Sequence, residues 1–87
     1  MFRVRVVSHI EGKRKGKRQI STDTFLTHED AEAFVNDSIR RQESICWKAW
    51  GLMVTKRNEQ EGKLMVDYIP ACNLFAKLSQ SFEIVSA

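Results

Sequence analysis

Five of the chain's 14 basic side chains, Lys13, Arg14, Lys15, Lys17 and Arg18, fall within six consecutive positions of "GKRKGKR". Ammonium and guanidinium groups at this density neutralise phosphates and release their counterions, which is the chemistry of polyanion binding. The glycines also invite comparison with a nucleotide-phosphate loop. That loop needs four residues between its glycines, and a lysine followed by a hydroxyl that holds magnesium. Here three residues separate Gly12 from Gly16, and Arg18 follows Lys17. The segment is therefore read as a turn whose glycines tolerate positive φ, carrying cations for contact rather than for hydrolysis.

Other chemistry-bearing residues are sparse. His28 and Glu32 stand four apart, a spacing that could ligate a metal, but an acid-rich helix start explains both without one. Trp47 and Trp50 flank Lys48, and aromatic and basic groups so interleaved can stack on bases or fill a small core. Cys46 and Cys72 lie in apolar surroundings with neither zinc-site nor disulfide-scaffold spacing, and are expected to be reduced and buried. No nucleophile and base, metal site or cofactor motif emerges. The expectation is a binding protein and not an enzyme.

Charge is unevenly distributed. Residues 1 to 20 carry seven cations and one carboxylate, whereas residues 21 to 87 carry seven cations and ten carboxylates, so the net charge of +3 sits at one end. Such asymmetry points to a polyanion surface. Arg3 and Arg5 belong to the basic end, while Lys48, Lys56 and Arg57 are weaker candidates further along.

The elements that must position these residues follow from periodicity. At 43% hydrophobic and 29% charged, the 87 residues suit one folded domain with one core. Apolar runs are far shorter than the roughly 20 residues that cross a bilayer. "MFRVRVVSHI" lacks the unbroken apolar core of a secretory signal, and a cytoplasmic location is expected. From Phe2 to Ile10 the residues alternate, with Phe2, Val4, Val6, Ser8 and Ile10 on one face and Arg3, Arg5, Val7 and His9 on the other. "KRQISTDTF" makes a second strand, so that the basic run becomes the tip of a β-hairpin. Thr27 is placed as the N-cap of a helix from residue 28 to about residue 42, with acids in its first turn and Arg40 and Arg41 near its last.

Residues 45 to 55 are read as a strand, with continuation of the helix to Gly51 as the alternative. A turn in "RNEQEGK" leads to a strand "KLMVDYI", Pro70 opens a short helix "PACNLFAKLS", and "SFEIV" is a last strand. The fold class is α+β: an antiparallel sheet of four or five strands, in the order β-β-α-β-β and then a short α and β, with the helix on one face. The last strand could close the sheet or pair with a second copy at an exposed edge, giving a homodimer.

The run from "FRVRV" through "EGKRKGKRQIST" to "FLTHEDAEAFVNDSIRRQE", residues 2 to 43, resembles the small arm-type DNA-binding domains at the N-termini of tyrosine recombinases. The resemblance implies a sheet that enters the major groove and contact roles for Arg3, Arg5 and the basic loop. The chain differs in having two strands before the helix where that family has three. In size, charge and element order it is also similar to small phage and mobile-element proteins, including anti-CRISPR proteins. That likeness implies a stoichiometric inhibitor of a host protein or ribonucleoprotein.

Together these readings predict a non-enzymatic protein that engages nucleic acid or a nucleoprotein complex. Its contact residues would be Arg3, Arg5, Lys13, Arg14, Lys15, Lys17, Arg18, Lys48, Trp50, Lys56 and Arg57. The alternative is an inhibitor acting by protein-protein contact through the same loop.

Overall fold

The computed structural model describes residues 1–11, 16–71 and 77–86, with Ile10, Glu11 and residues 16–23 described by backbone alone. Strands β1 (Phe2–Glu11) and β2 (Gly16–Phe25) precede helix α1 (His28–Trp50), and β3 (Met53–Gln60), β4 (Lys63–Pro70) and β5 (Lys77–Ser86) follow it. All pairings are antiparallel, and the sheet order is β2-β1-β5-β4-β3.

Alternation decides which side of each strand is apolar, and α1 covers that side. Val4, Val66, Tyr68, Leu78 and Phe82 from the sheet meet Ala31, Val35, Ile39 and Cys46 from the helix in one buried core. Phe2, Val6, Phe25, Phe34, Trp50, Met53, Leu64 and Ile84 pack around it. The helix touches all five strands, so a single element closes one whole face.

Local chemistry fixes the helix ends. The Thr27 side chain accepts from the Asp30 N–H at 3.1 Å, as expected for its N-cap. At the other end Gly51 adopts φ 76° and its N–H donates to the Trp47 carbonyl at 2.8 Å, a conformation that glycine accepts without strain. The 23-residue helix therefore runs through residues 45 to 50, which corrects the strand expected there. Its length also moves Arg40 and Arg41 to mid-helix, leaving Lys48 as the basic residue of the last turn.

Between β3 and β4 the two-residue turn Glu61–Gly62 has φ 52° and φ 78°, the pair of positive values that suits the right-handed twist of a tight hairpin. The expected short helix at 70–79 is corrected at both ends: Pro70 closes β4, and Lys77, Leu78 and Ser79 open β5. Its middle, residues 72–76, lies outside the described residues. Strand β5 is ten residues long and lies between β1 and β4. Both its edges are occupied, which removes it as a surface for a second copy. The sheet's edges are β2 and β3.

Ile39 is fully buried beneath the sheet. Truncation there removes apolar burial and leaves a void. In urea denaturation, Ile39→Ala is expected to lower stability by about 2–5 kcal/mol, and Thr27→Ala, which removes the cap, by about 1 kcal/mol.

Candidate nucleic-acid interface

The side of the sheet away from α1 is covered by no other described element. Along β1 it presents Arg3 and Arg5, both exposed, and Val7 and His9, both half-buried. Cross-strand register extends these residues into rows. Arg5 lies opposite Glu83, and Glu83 opposite Lys63; His9 lies opposite Ser79, Ser79 opposite Asp67, and Asp67 opposite Lys56. The apolar residues of this face are Val7, Val85, Met65 and Ile69, all half-buried, and the exposed Val54 opposite Ile69.

Two ion-pair arrangements organise the polar groups. Arg5 Nη1 lies 3.3 Å from Glu83 Oε1, with the arginine side chain half exposed. Such a pair is worth little to stability in water, and leaves the remaining guanidinium donors free for an acceptor. Ser79 Oγ donates to Asp67 Oδ1 at 2.8 Å, and Lys77 Nζ approaches Asp67 Oδ2 at 3.9 Å. Among the described side chains of this face, Arg3, Arg5, Lys56, Lys63 and Lys77 thus stand beside the carboxylates Asp67 and Glu83, and the register sets Glu11 opposite Lys77. The exposed side of α1 has the opposite balance. Glu29, Asp30, Glu32 and Asp37 occupy its N-terminal half, with His28 Nδ1 2.8 Å from Glu32 Oε1 and Arg41 paired to Asp37 at 2.6 Å.

The sequence-predicted contact residues divide between the two sides. Arg3, Arg5 and Lys56 share the open face. Lys17 and Arg18 lie in β2 opposite His9 and Ser8, while Lys13, Arg14 and Lys15 lie outside the described residues. Arg57 sits opposite the buried Val66, on the side that carries the helix. Lys48 and Trp50 belong to α1, and Trp50 packs half-buried against the core while Trp47 is the exposed ring. Sequence reasoning missed Lys63, Lys77 and the counter-charges Asp67 and Glu83. Strand alternation against the apolar Leu64, Val66 and Leu78 was the signal available for them.

No group of three or more His, Cys, Asp or Glu side chains able to hold a metal occurs among the described residues, and His28 and Glu32 simply pair with each other. Cys46 is free and buried; Cys72 lies outside the described residues. Among the described residues no helix is long and apolar enough to cross a membrane.

Beneath the helix a polar chain crosses three strands. Tyr68 Oη donates to Gln80 Oε1 at 2.9 Å, and Gln80 Nε2 donates to Ser8 Oγ at 3.2 Å. On the helix itself the Gln42 amide reaches Cys46 Sγ, and the Thr55 hydroxyl donates to Glu43. Burial, reinforced by the nearby Cys46 and Glu43, pushes the Tyr68 phenol well above its ordinary range, and burial likewise raises the Cys46 thiol.

Comparison with protein-family models, with curated proteins and with solved structures returns no match. The functional reading therefore rests on the residues of this chain.

Tyr68 is the protein's one tyrosine. With a folded-state pKa above the unfolded one, its contribution to stability is complete below about pH 10 and is lost as pH rises toward the folded value. Absorbance titration of the phenolate should show no ionisation until the protein unfolds in alkali, and Tyr68→Phe should flatten the alkaline fall in stability. Ionisation near pH 10 in the folded protein would contradict the buried, hydrogen-bonded phenol.

Proposed function

We propose that the protein binds nucleic acid, alone or within a nucleoprotein complex, through the open face of its sheet and the basic segment Lys13–Arg18, without catalysing a reaction. One observation carries the reading. The one described helix takes one face, and the described side chains of the other include Arg3, Arg5, Lys56, Lys63 and Lys77 beside the carboxylates Asp67 and Glu83, with Glu11 opposite Lys77 in the register. Strand β2, which continues from the basic segment, extends that sheet next to β1.

The make-up of the face also suggests a mode. Among its described residues His9 is the one ring, so there is no platform of aromatics on which bases could stack. Contact is with phosphates, and phosphates carry no sequence information directly. The apolar residues Val7, Val54, Met65, Ile69 and Val85 of the face favour a second reading, in which the same face meets an acidic surface of a host protein or ribonucleoprotein as an inhibitor would. Dimerisation enters as a further proposal, at an edge other than β5.

Fluorescence-anisotropy titration of labelled duplex and single-stranded oligonucleotides across a salt series tests the reading. Wild type should bind with little sequence preference and a steep salt slope. Replacing Lys13, Arg14, Lys15, Lys17 and Arg18 by Ala, or Arg3 and Arg5 by Ala, should weaken binding and reduce the slope by about 0.7–0.9 for each phosphate no longer neutralised. Glu83→Gln, which frees Arg5 and removes a carboxylate from the face, should tighten it. Arg40→Ala with Lys48→Ala, on the helix side, should leave it unchanged. Absence of binding at low salt would end the nucleic-acid reading and turn attention to a protein partner.

A further inference from the structure

Strand β3 is one edge of the sheet, and along it the charge changes sign. Its C-terminal end carries Glu59 and, in the turn, Glu61; with His28 and Glu32 of the helix they line a cleft of about 530 Å³. Its N-terminal half borders a groove of about 660 Å³ against α1, lined by Arg40, Trp47, Lys48, Met53 and Thr55. Arg57 extends the cationic side of that edge. Glu43 also reaches the groove, but its carboxylate accepts the Thr55 hydroxyl. Arg40 and Lys48 make no ion pair among the described residues. Ile45, Trp47 and Leu52, three large exposed hydrophobics, belong to the C-terminal part of α1 and the segment just after it.

Backbone geometry makes the edge available. In a two-residue hairpin the closing pair, here Gln60 and Lys63, exchanges both hydrogen bonds. With the antiparallel alternation, Lys56 and Asn58 then turn their amides toward β4, and Thr55, Arg57 and Glu59 turn theirs outward. An added antiparallel strand would bond to those outward groups.

We propose that the occupant is a second copy of this chain, with β3 pairing to β3 about a two-fold axis at Asn58. In that register Arg57 stands opposite the second copy's Glu59, twice by symmetry, and Lys56 opposite Gln60. Thr55 faces the second copy's Glu61, which brings that carboxylate to the groove of Arg40 and Lys48. The neighbouring two-fold registers are worse. Centring on Lys56, Arg57 or Glu59 sets like charges directly opposite each other, which is destabilising. Centring on Thr55 pairs no opposite charges. Slips by half a step would place an open-face residue against a helix-face residue.

The dimer has one continuous ten-stranded sheet, with both open faces on the same side. It does not depend on nucleic-acid binding, because Arg57 and Glu59 lie off the open face.

Analytical ultracentrifugation of the whole protein over a concentration series tests the proposal, using wild type, Arg57→Glu, Glu59→Arg and the double variant. Both positions are exposed, and near-ultraviolet circular dichroism confirms that each variant is folded. The expected result is a wild-type dimer whose dissociation constant rises about tenfold or more in each single variant and returns toward wild type in the double variant. A wild type that stays monomeric at every accessible concentration would overturn the proposal. So would a dimer indifferent to both single reversals, or one that the double variant fails to restore.

Discussion

One helix has to cover one face of a five-stranded sheet, and the rest of the molecule follows from that burial. Ala31, Val35, Ile39 and Cys46 recur along α1 at spacings that keep them on a single stripe. The stripe meets Val4, Val66, Tyr68, Leu78 and Phe82, which alternation brings to the same side of β1, β4 and β5. No second helix among the described residues covers the other side of the sheet. That side mixes half-buried apolar residues with charged ones, and its charged residues either stay in water or meet a partner. Arg3, Arg5, Lys56, Lys63 and Lys77 share one sign, which invites an anionic partner.

The core is not purely apolar. The chain of hydrogen bonds from Tyr68 through Gln80 to Ser8 ties β4, β5 and β1 together, and the Thr55–Glu43 bond ties β3 to the helix. Polar groups so placed are costly unless each finds its partner, and among the described residues no buried side-chain polar atom lacks one. Their effect is to specify register: a slip of one residue would unpair them and would also turn Arg3 and Arg5 into the core. The same register that satisfies the core therefore assembles the cationic face.

Much of this architecture was legible in the chain. Strict alternation from Phe2 to His9 separated core from surface in β1, and Thr27 with the acids after it marked the start of the helix. The end of the helix was harder to read. Ile45, Trp47 and Trp50 favour a strand by residue type, and the helical spacing of Cys46, Ala49 and Trp50 competed with that preference until Gly51 broke the chain's course. Around Pro70 the misreading came from treating the proline as a helix opener, when it closes β4 opposite Met53. The central position of β5 could not be read locally, since its neighbours β1 and β4 are fixed by pairing across the whole chain. For that reason the arginines of the candidate interface were found from sequence, whereas the roles of Lys63, Lys77, Asp67 and Glu83 beside them emerged only with the topology.

In the function proposed, phosphates meet the uncovered side of the sheet and not the helix side. Amide chemical-shift mapping during titration with a short duplex tests this most directly, because it reads every strand and the helix in one experiment. Shifts are expected on β1 at Arg3, Arg5 and Val7, on β5 at Ser79 and Ser81, on β4 at Met65 and on β3 at Lys56, with α1 between Glu29 and Arg41 unmoved. Shifts confined to the groove around Arg40, Trp47 and Lys48, or none at low salt, would contradict it.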